Sequence, residues 1–249
     1  MRIALLSDIH GNLPALQAVL QDISLRAVDR VVNLGDSLSG PLFPRETAEF
    51  LMQQDWPQLA GNHERQILEY KPGHGGESDG YALSTLTPDI LDWLKSLPGT
   101  LWLNDEVFLC HGTPTTDLVY FLETVEPGAV RLASPAEVDA RLGSISARVV
   151  ACGHTHIARA VRSSNGTLIV NPGSVGLQAY DDEHPYPHLM QNGTTDARYA
   201  IIEGNNGIWS AALHSVPYDY HAAADAALLR NRKDWQRALL TGYAQPLAS

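Results

Sequence analysis

The sequence predicts an α/β domain whose first half holds parallel strands and whose second half holds antiparallel strands. Near the start, a short apolar run (3–6), an amphipathic stretch and a second apolar run (31–34) follow one another closely. A strand, a helix and a strand in so few residues indicate parallel pairing through a right-handed crossover. Beyond residue 157, short apolar runs are separated by turn signals such as Asn165-Gly166, which favours antiparallel hairpins.

The composition is typical of a folded globular protein with an acidic balance. Hydrophobic residues make up 44% of the 249 and charged residues 18%, which excludes disordered and fibrous chains. The net charge of −11 disfavours a partner that is a long nucleic acid or a membrane surface. Cys110 and Cys152 form no Cys-x-x-Cys pair, and no apolar run is long enough for a signal peptide or a membrane span. We therefore expect a cytoplasmic protein.

Helices and strands alternate through the first 110 residues. Pro14 suits a first helical turn, and Leu16, Val19 and Ile23 fall on one apolar stripe of the same helix. The next predicted elements are a helix at 44–54, a strand tip at 58–60, a helical insertion at 64–100 that is broken at 71–76, and a hairpin at 101–110.

The second half is predicted to add one helix, further strands and a C-terminal helical segment. Ser134, Pro135 and Glu137 form a capping box with proline in the first turn, so a helix is expected over 134–142. Residues 177–197 are predicted to form a long loop that could close over a site as a lid. The other predicted elements are strands at 148–152, 158–162, 167–170, 199–203 and 208–213, and a helix or helix pair at 222–240. No repeat or linker interrupts the chain, so a single domain over 1–249 is expected.

Polar residues follow directly after five of the apolar runs that are predicted strands. Because ligands of open α/β sheets bind outside the carboxyl ends of the strands, we expect these side chains to meet at one rim. They are Asp8 and His10, Asp36, Asn62 and His63, His111, and His154 and His156.

The residue types in these clusters are oxygen and nitrogen donors, with no thiolate. Imidazole together with carboxylate suits Mn, Fe, Ni or Zn. Alternate residues of an extended segment point to the same side, so Asp8 with His10, and His154 with His156, each present two donors. Seven of these residues, all except His63, are ligand candidates. They exceed the needs of one ion and suit two divalent transition-metal ions that share a bridging carboxylate, for which Asp36 is placed.

This ordered set resembles the calcineurin-like metallophosphoesterase superfamily, and the resemblance covers nearly the whole chain. The run Asn171-Pro-Gly-Ser174, together with residues 86–88 and 93–98, is similar to small bacterial and archaeal phosphodiesterases of that superfamily. The resemblance implies a four-layer α-β-β-α sandwich of two mixed sheets. Phosphoprotein phosphatases of the superfamily carry an arginine after the Gly-Asp pair, whereas residues 35–40 contain none, which argues against that branch.

The resemblance also implies a role for each polar residue. Asp8, His10 and His156 would hold one metal, Asn62, His111 and His154 would hold the second, and Asp36 would bridge both. His63 would protonate the leaving oxygen or orient the phosphate. From their positions beside the motifs and in the long loop, Arg65, Tyr180 and His184 are further candidates for contact with substrate.

The expected function is hydrolysis of a phosphodiester or a nucleotide polyphosphate by metal-activated hydroxide. The substrate would be a small phosphorylated molecule, and a polymeric nucleic acid is disfavoured by the acidic charge. Two alternatives stay open: a phosphomonoesterase that acts on a small molecule or a protein, and a non-catalytic scaffold with the same fold. The apolar stripe of 222–240 could serve a homo-oligomer.

Overall fold

The computed structural model describes residues 1–244. Within these residues the strands are β1 (Arg2–Leu6), β2 (Arg30–Asn33), β3 (Thr100–Trp102), β4 (Val107–Cys110), β5 (Glu123–Glu126), β6 (Ala129–Leu132), β7 (Val149–Ala151), β8 (Arg159–Arg162), β9 (Leu168–Asn171), β10 (Ala179–Asp182), β11 (His188–Gln191), β12 (Ala197–Asn205) and β13 (Ile208–Val216). The helices of the same residues are α1 (Leu13–Ser24), α2 (Pro44–Leu51), α3 (Asn62–Glu69), α4 (Glu77–Thr85), α5 (Pro88–Ser96), α6 (Pro135–Leu142), α7 (His221–Leu229) and α8 (Lys233–Thr241).

The strands form two large mixed sheets. One has the order β13-β12-β1-β2, in which β1 and β2 are parallel, as predicted, and β1 and β12 are antiparallel. The other has the order β3-β4-β7-β9-β8, in which β4, β7 and β9 are parallel and the edge strands β3 and β8 are antiparallel. The parallel strands β1, β2, β4 and β7 end at loops that carry residues of the predicted site.

Three apolar clusters account for the layers. Alternate residues of β1 face opposite ways: Ile3 and Leu5 pack against the second sheet, whereas Ala4 and Leu6 pack against α1. On the far side, Phe108 and Cys110 of β4 pack against α6. The order of layers is therefore helix, sheet, sheet, helix, which is the predicted four-layer sandwich.

The segment predicted as a helical insertion forms α3, α4 and α5, which pack on α2. Ile67, Ala82 and Ile90 lie in one buried cluster with Leu38, which follows β2. The glycine-rich run predicted to break the insertion separates α3 from α4. The insertion is therefore attached to the loop that carries Asp36.

Two parts of the second half differ from the predictions. Residues 177–197 are not a long loop, because β10 and β11 pair as an antiparallel hairpin with Tyr180 opposite Met190. A second hairpin, β5–β6, forms where no element was predicted. The C-terminal segment is a pair of helices, α7 and α8, which pack against β10 through Ala179, Ala223 and Trp235. No helix within residues 1–244 has both the length and the apolar character needed to cross a membrane.

Candidate metal centre

The structure brings the seven predicted ligand residues together: six follow β1, β2, β4 and β7, and Asn62 is the first residue of α3. Five of them have left-handed φ angles between 53° and 71°: Asp8, His10, Asp36, His154 and His156. Such a conformation costs a residue with a Cβ about 1–3 kcal/mol and persists only where its surroundings enforce it. Hydrogen bonds between the loops provide that enforcement, since His10 N–H donates to the Asp36 carbonyl (3.0 Å) and Gly153 N–H to the His111 carbonyl (2.7 Å). Backbone strain is thus concentrated in these loops.

Asp8, His10 and His156 form the first group of potential ligands. The Nδ1 atoms of both histidines lie within hydrogen-bond distance of a backbone carbonyl, Ser39 O at 2.8 Å for His10 and Leu177 O at 2.7 Å for His156. Each Nδ1 therefore carries a proton, which leaves Nε2 of a neutral ring with a lone pair. These two Nε2 atoms lie 3.1 Å apart. Two facing lone pairs repel each other, and a cation between them removes the repulsion.

Asp36, His111 and His154 form the second group. Nδ1 of His111 donates to the Leu34 carbonyl at 2.9 Å, and its Nε2 faces Asp36 Oδ2 at 3.0 Å and Asn62 Oδ1 at 3.1 Å. Nε2 of His154 lies 3.1 Å from the Leu118 carbonyl, which leaves its Nδ1 as the potential ligand atom. Carboxylate, amide oxygen and imidazole nitrogen thus converge here as well.

Asp8 joins the two groups. Its Oδ1 is buried and accepts no hydrogen bond from any group in residues 1–244, yet it lies 3.4 Å from His156 Nε2 and 4.0 Å from His111 Nε2. A buried carboxylate oxygen without a partner is costly, so a ligand such as a cation is the expected partner. The residues therefore fit two divalent ions, and their role as ligands stays a prediction.

The charges at the centre suit neutral imidazole ligands at two positions. Burial and the neighbouring His156 lower the pKa of His10 to about 3, and burial and His111 lower the pKa of His154 to about 4. Burial alone would raise the pKa of Asp36, but the charges of His111 and His63 outweigh it and hold that pKa well below its ordinary range. Anionic carboxylates and neutral imidazoles are the protonation states that bind metals.

His63 lies beside the second group and keeps one ring nitrogen free for the cavity. Its backbone N–H donates to Asp36 Oδ1 at 2.9 Å, and its Nδ1 lies 2.8 Å from Asp79 Oδ1. Burial disfavours the charged ring, but the carboxylates of Asp36 and Asp79 outweigh burial and raise the pKa of His63 to about 9. The side chain is 28% exposed, so a molecule in the cavity can reach it.

Glu64 ties the Asp36 loop to the start of α3. Its carboxylate is fully buried and accepts the backbone N–H groups of Asp36 (2.8 Å), Ser37 (2.8 Å) and Gly61 (2.7 Å). Sequence reasoning gave Glu64 no role, although an acidic residue three positions after a helix N-cap is a capping signal. Its contact with the Asp36 loop depends on tertiary packing.

A cavity of about 930 Å³ opens above the two groups. Tyr180 and His184 line it, and the side chain of His184 is 90% exposed. Their contact with substrate stays a prediction. Arg65 does not line it: its guanidinium is held by the Asp117 carboxylate at 2.9 and 3.0 Å, beside a separate depression. The placement of Arg65 therefore does not support the predicted contact with substrate.

Comparison with known proteins decides the family. A sequence model of the calcineurin-like phosphoesterase superfamily domain matches residues 1–193. The chain belongs to this superfamily. Over 247 residues it is 26% identical to an uncharacterized protein of Methanocaldococcus jannaschii, and the match covers 94% of each chain. The resemblance noted from the motifs is thereby confirmed.

Two solved structures share the fold. A metallophosphoesterase from Sphaerobacter thermophilus has a TM-score of 0.75 at 23% identity, with coverage of 97% of this chain and 100% of the other. A hypothetical protein from Pyrococcus horikoshii also has a TM-score of 0.75, at 18% identity, with coverage of 99% of both chains. Membership of a phosphoesterase superfamily supports the conclusion that this protein is a hydrolase. The two groups of potential ligands fit the divalent metals that this superfamily generally binds.

Proposed function

We propose that this protein holds two divalent transition-metal ions and hydrolyses phosphodiesters. The observation that carries the proposal is the pair of acceptor clusters at one cavity, in one of which the Nε2 atoms of His10 and His156 lie 3.1 Å apart. Only 4.0 Å separates Asp8 of the first cluster from His111 of the second, so one phosphate group can span both. Two adjacent clusters of acceptors call for two cations.

In this proposal Asp8, His10 and His156 hold one ion, Asn62, His111 and His154 hold the other, and Asp36 is shared. Mn, Fe, Ni and Zn all suit this set of imidazoles, carboxylates and amide. When bound, such ions offset the charge of the phosphoryl oxygens and lower the pKa of a nearby water towards neutrality. The chain itself fixes the ligand geometry through strained loops, so little reorganisation is needed.

His63 is the proposed proton donor. Water adds to phosphorus and releases a proton to solvent as the bond from phosphorus to the leaving oxygen breaks, and Nε2 of His63 gives its proton to that oxygen. The ring is left neutral and regains a proton from solvent, which balances the cycle. The raised pKa of His63, about 9, supports a protonated ring at neutral pH. Donation of this kind contributes typically ~10²–10⁴-fold to a rate.

The lining of the cavity favours a diester over a polyphosphate chain. Asp181, Asp182 and Asp234 line it, and Arg232 is already paired with Asp234 at 2.6 Å. Arg141 also lines it, with its guanidinium bound to the carbonyls of Phe121 and Glu123. Several like charges would oppose a second or third phosphate there. Trp235 and Leu177 line the same cavity and suit an uncharged organic substituent. A diester brings two substituents to a cavity of about 930 Å³, whereas a monoester brings one.

A matrix of metals and substrates tests the proposal. Metal-free protein is loaded with Mn²⁺, Fe²⁺, Ni²⁺ or Zn²⁺ and assayed on bis(p-nitrophenyl) phosphate, p-nitrophenyl phosphate and a dinucleoside polyphosphate. We expect two ions per chain by elemental analysis and the highest kcat/KM on the diester. If the protein instead prefers the monoester or the polyphosphate, the proposed substrate class is wrong, and the proposed metal centre still stands.

Asp36→Asn should lose metal and turnover together, because Asp36 is the shared ligand. Asp92→Asn is the matched control, since its side chain is 74% exposed on α5. If none of the four ions binds and none supports turnover, the proposal is overturned, and a non-catalytic scaffold with this fold becomes the favoured alternative.

A further inference from the structure

Asp79 is a buried carboxylate that no sequence motif pointed to. It lies in the first turn of α4, and its side chain is only 5% exposed. Its Oδ1 lies 2.8 Å from Nδ1 of His63, sixteen residues earlier in the chain. Burial of a carboxylate costs several kcal/mol unless charge or hydrogen bonds compensate, so its contact with His63 requires an explanation.

We propose that Asp79 is a positioning residue for His63. A carboxylate accepts and does not donate, so it holds the proton of His63 on Nδ1 and turns Nε2 towards the cavity. The same ring meets His10 edge-on at 5.4 Å between centroids, and its backbone N–H is bound to Asp36. With three contacts fixed, the ring keeps one orientation. The inference rests on the proposed function, because it gives His63 the role of proton donor.

The C-terminal helices hold α4 in the place that this role requires. Arg232, between α7 and α8, donates to Ser78 Oγ at 2.8 Å, directly before Asp79. Arg230 stacks over the Tyr81 ring at 4.8 Å, two residues after Asp79. These arginines lie outside residues 1–193, the part that the superfamily model matches. The orientation of His63 therefore depends on a part of the chain beyond the shared motifs.

The rival explanation is that Asp79 only stabilises α4, since acidic side chains in a first turn interact favourably with the helix dipole. Glu77 lies in the same turn and provides the matched control, because its side chain is 86% exposed and contacts neither the cavity nor His63. It lies 3.7 Å from Arg232, which in Glu77→Gln keeps its contacts with Ser78 and Asp234. A helix effect should appear in both Asp79→Asn and Glu77→Gln. A positioning effect should appear in Asp79→Asn alone.

NMR of the metal-free protein tests the contact without any turnover. With histidine labelled by ¹⁵N, the Nδ1 proton of His63 should resonate far downfield and exchange slowly with water, and His63→Gln assigns it. We expect the signal to be lost in Asp79→Asn, kept in Glu77→Gln and partly recovered in Asp79→Glu. An unchanged signal in Asp79→Asn would overturn the inference.

Kinetics of the metal-loaded protein test the role. In a diester of an aliphatic alcohol the leaving oxygen is strongly basic and needs a proton. In a diester of p-nitrophenol the leaving oxygen is weakly basic and can depart without one. We expect Asp79→Asn to lower kcat roughly 10–100-fold on the aliphatic ester and only about 3-fold or less on the p-nitrophenyl ester, with KM unchanged. Equal losses on both esters would contradict the positioning role.

A double-mutant cycle separates action through His63 from loss of stability. In a His63→Gln background, Asp79→Asn should reduce kcat no further, whereas an independent structural effect would add to the loss. If the wild-type protein hydrolyses none of the esters, the proposed function fails, and the NMR result still decides whether Asp79 orients His63.

Discussion

The hydroxyl oxygens of Tyr120 and Tyr180 lie 2.7 Å apart next to the loop that carries His154 and His156. The Tyr180 ring packs edge-on against His156 at 4.6 Å between centroids, and Tyr120 packs in the same way against His154 at 5.0 Å. Tyr180 therefore supports His156 of the first group, and Tyr120 supports His154 of the second group. Burial raises the pKa of both phenols, so both remain hydrogen-bond donors at neutral pH.

The direction of the hydrogen bonds in the tyrosine pair follows from His188. Its Nδ1 donates to the Tyr186 carbonyl at 2.7 Å, so its Nε2 accepts the proton of Tyr120 at 3.0 Å. The Tyr180 hydroxyl then donates to Tyr120 or to the His154 carbonyl at 3.2 Å. The pair thus connects the β10–β11 hairpin to the candidate metal centre.

Tyr180→Phe should weaken this connection while keeping the ring. Loss of one neutral hydrogen bond costs about 1 kcal/mol, which lowers the melting temperature by roughly 2–4 °C in a protein of this size. Mn²⁺ affinity, measured by calorimetry, should fall by about 10-fold, because the lost hydroxyl holds the backbone carbonyl of the predicted ligand His154. Tyr186→Phe, at an exposed position, should change neither quantity. Wild-type Mn²⁺ affinity in Tyr180→Phe would argue against the support role.

Metal loading should stabilise the protein strongly. A divalent ion that binds only the folded chain at 100 times its Kd adds about 2.7 kcal/mol, or roughly 5–10 °C in melting temperature. The repulsion between His10 and His156 gives the physical reason, since their Nε2 atoms lie 3.1 Å apart. Differential scanning fluorimetry with and without Mn²⁺ measures the effect, and EDTA should reverse it.

His10→Ala should melt with a smaller shift on addition of Mn²⁺, because it removes a ligand from the first group. His221→Ala serves as the control, since His221 is exposed at the start of α7. An equal shift in both variants would show that the stabilising ion binds elsewhere.

The strands that carry the predicted ligands could be predicted from the sequence, because each is marked by a pattern in a few neighbouring residues. Strand β1 is a continuous apolar run that ends at Asp8, and the same pattern recurs before Asp36 and His111. The β5–β6 hairpin was missed because each strand has only four residues and carries charge, at Glu123 and Glu126 in β5 and at Arg131 in β6, so neither forms a continuous apolar run. Pro127-Gly128 was the available signal, and Gly128 indeed has a φ of 80°.

The supporting contacts could not be predicted because they depend on how distant elements pack. Asp79 reaches His63 only through the angle between α3 and α4, and Tyr120 meets Tyr180 across 60 residues of chain. The β10–β11 hairpin was mistaken for a loop because prolines and acidic residues obscure its alternation. The polar composition of residues 177–197 is equally compatible with a loop and with a hairpin, so it did not decide between them.

Gly61→Ala should abolish metal binding at the second group. A Cβ at this position would lie 2.3 Å from Asp36 Oδ1 and 2.9 Å from His111 Cε1, so both potential ligands would have to move. Elemental analysis should find at least one ion fewer per chain. Gly99→Ala is the matched control, because a Cβ there meets nothing within 4 Å. Full metal content in Gly61→Ala would contradict the assignment of Asp36 and His111 as ligands.

Glu64→Gln should destabilise the fold and the metal centre together. The two carboxylate oxygens accept three backbone N–H groups, from Asp36, Ser37 and Gly61. An amide has only one oxygen, so its NH₂ group must face at least one of these N–H donors. A buried donor left without an acceptor costs about 1–3 kcal/mol.

The loss should appear as a lower urea midpoint with an unchanged m-value, since the folded and unfolded surfaces stay the same. Glu69→Gln on the same helix has a side chain that is 69% exposed and should unfold like the wild type. Because Glu64 joins the Asp36 loop to the helix that carries Asn62 and His63, Mn²⁺ should bind more weakly even where Glu64→Gln is fully folded. A wild-type midpoint together with wild-type Mn²⁺ affinity would show that the Asp36 loop holds its shape without this carboxylate.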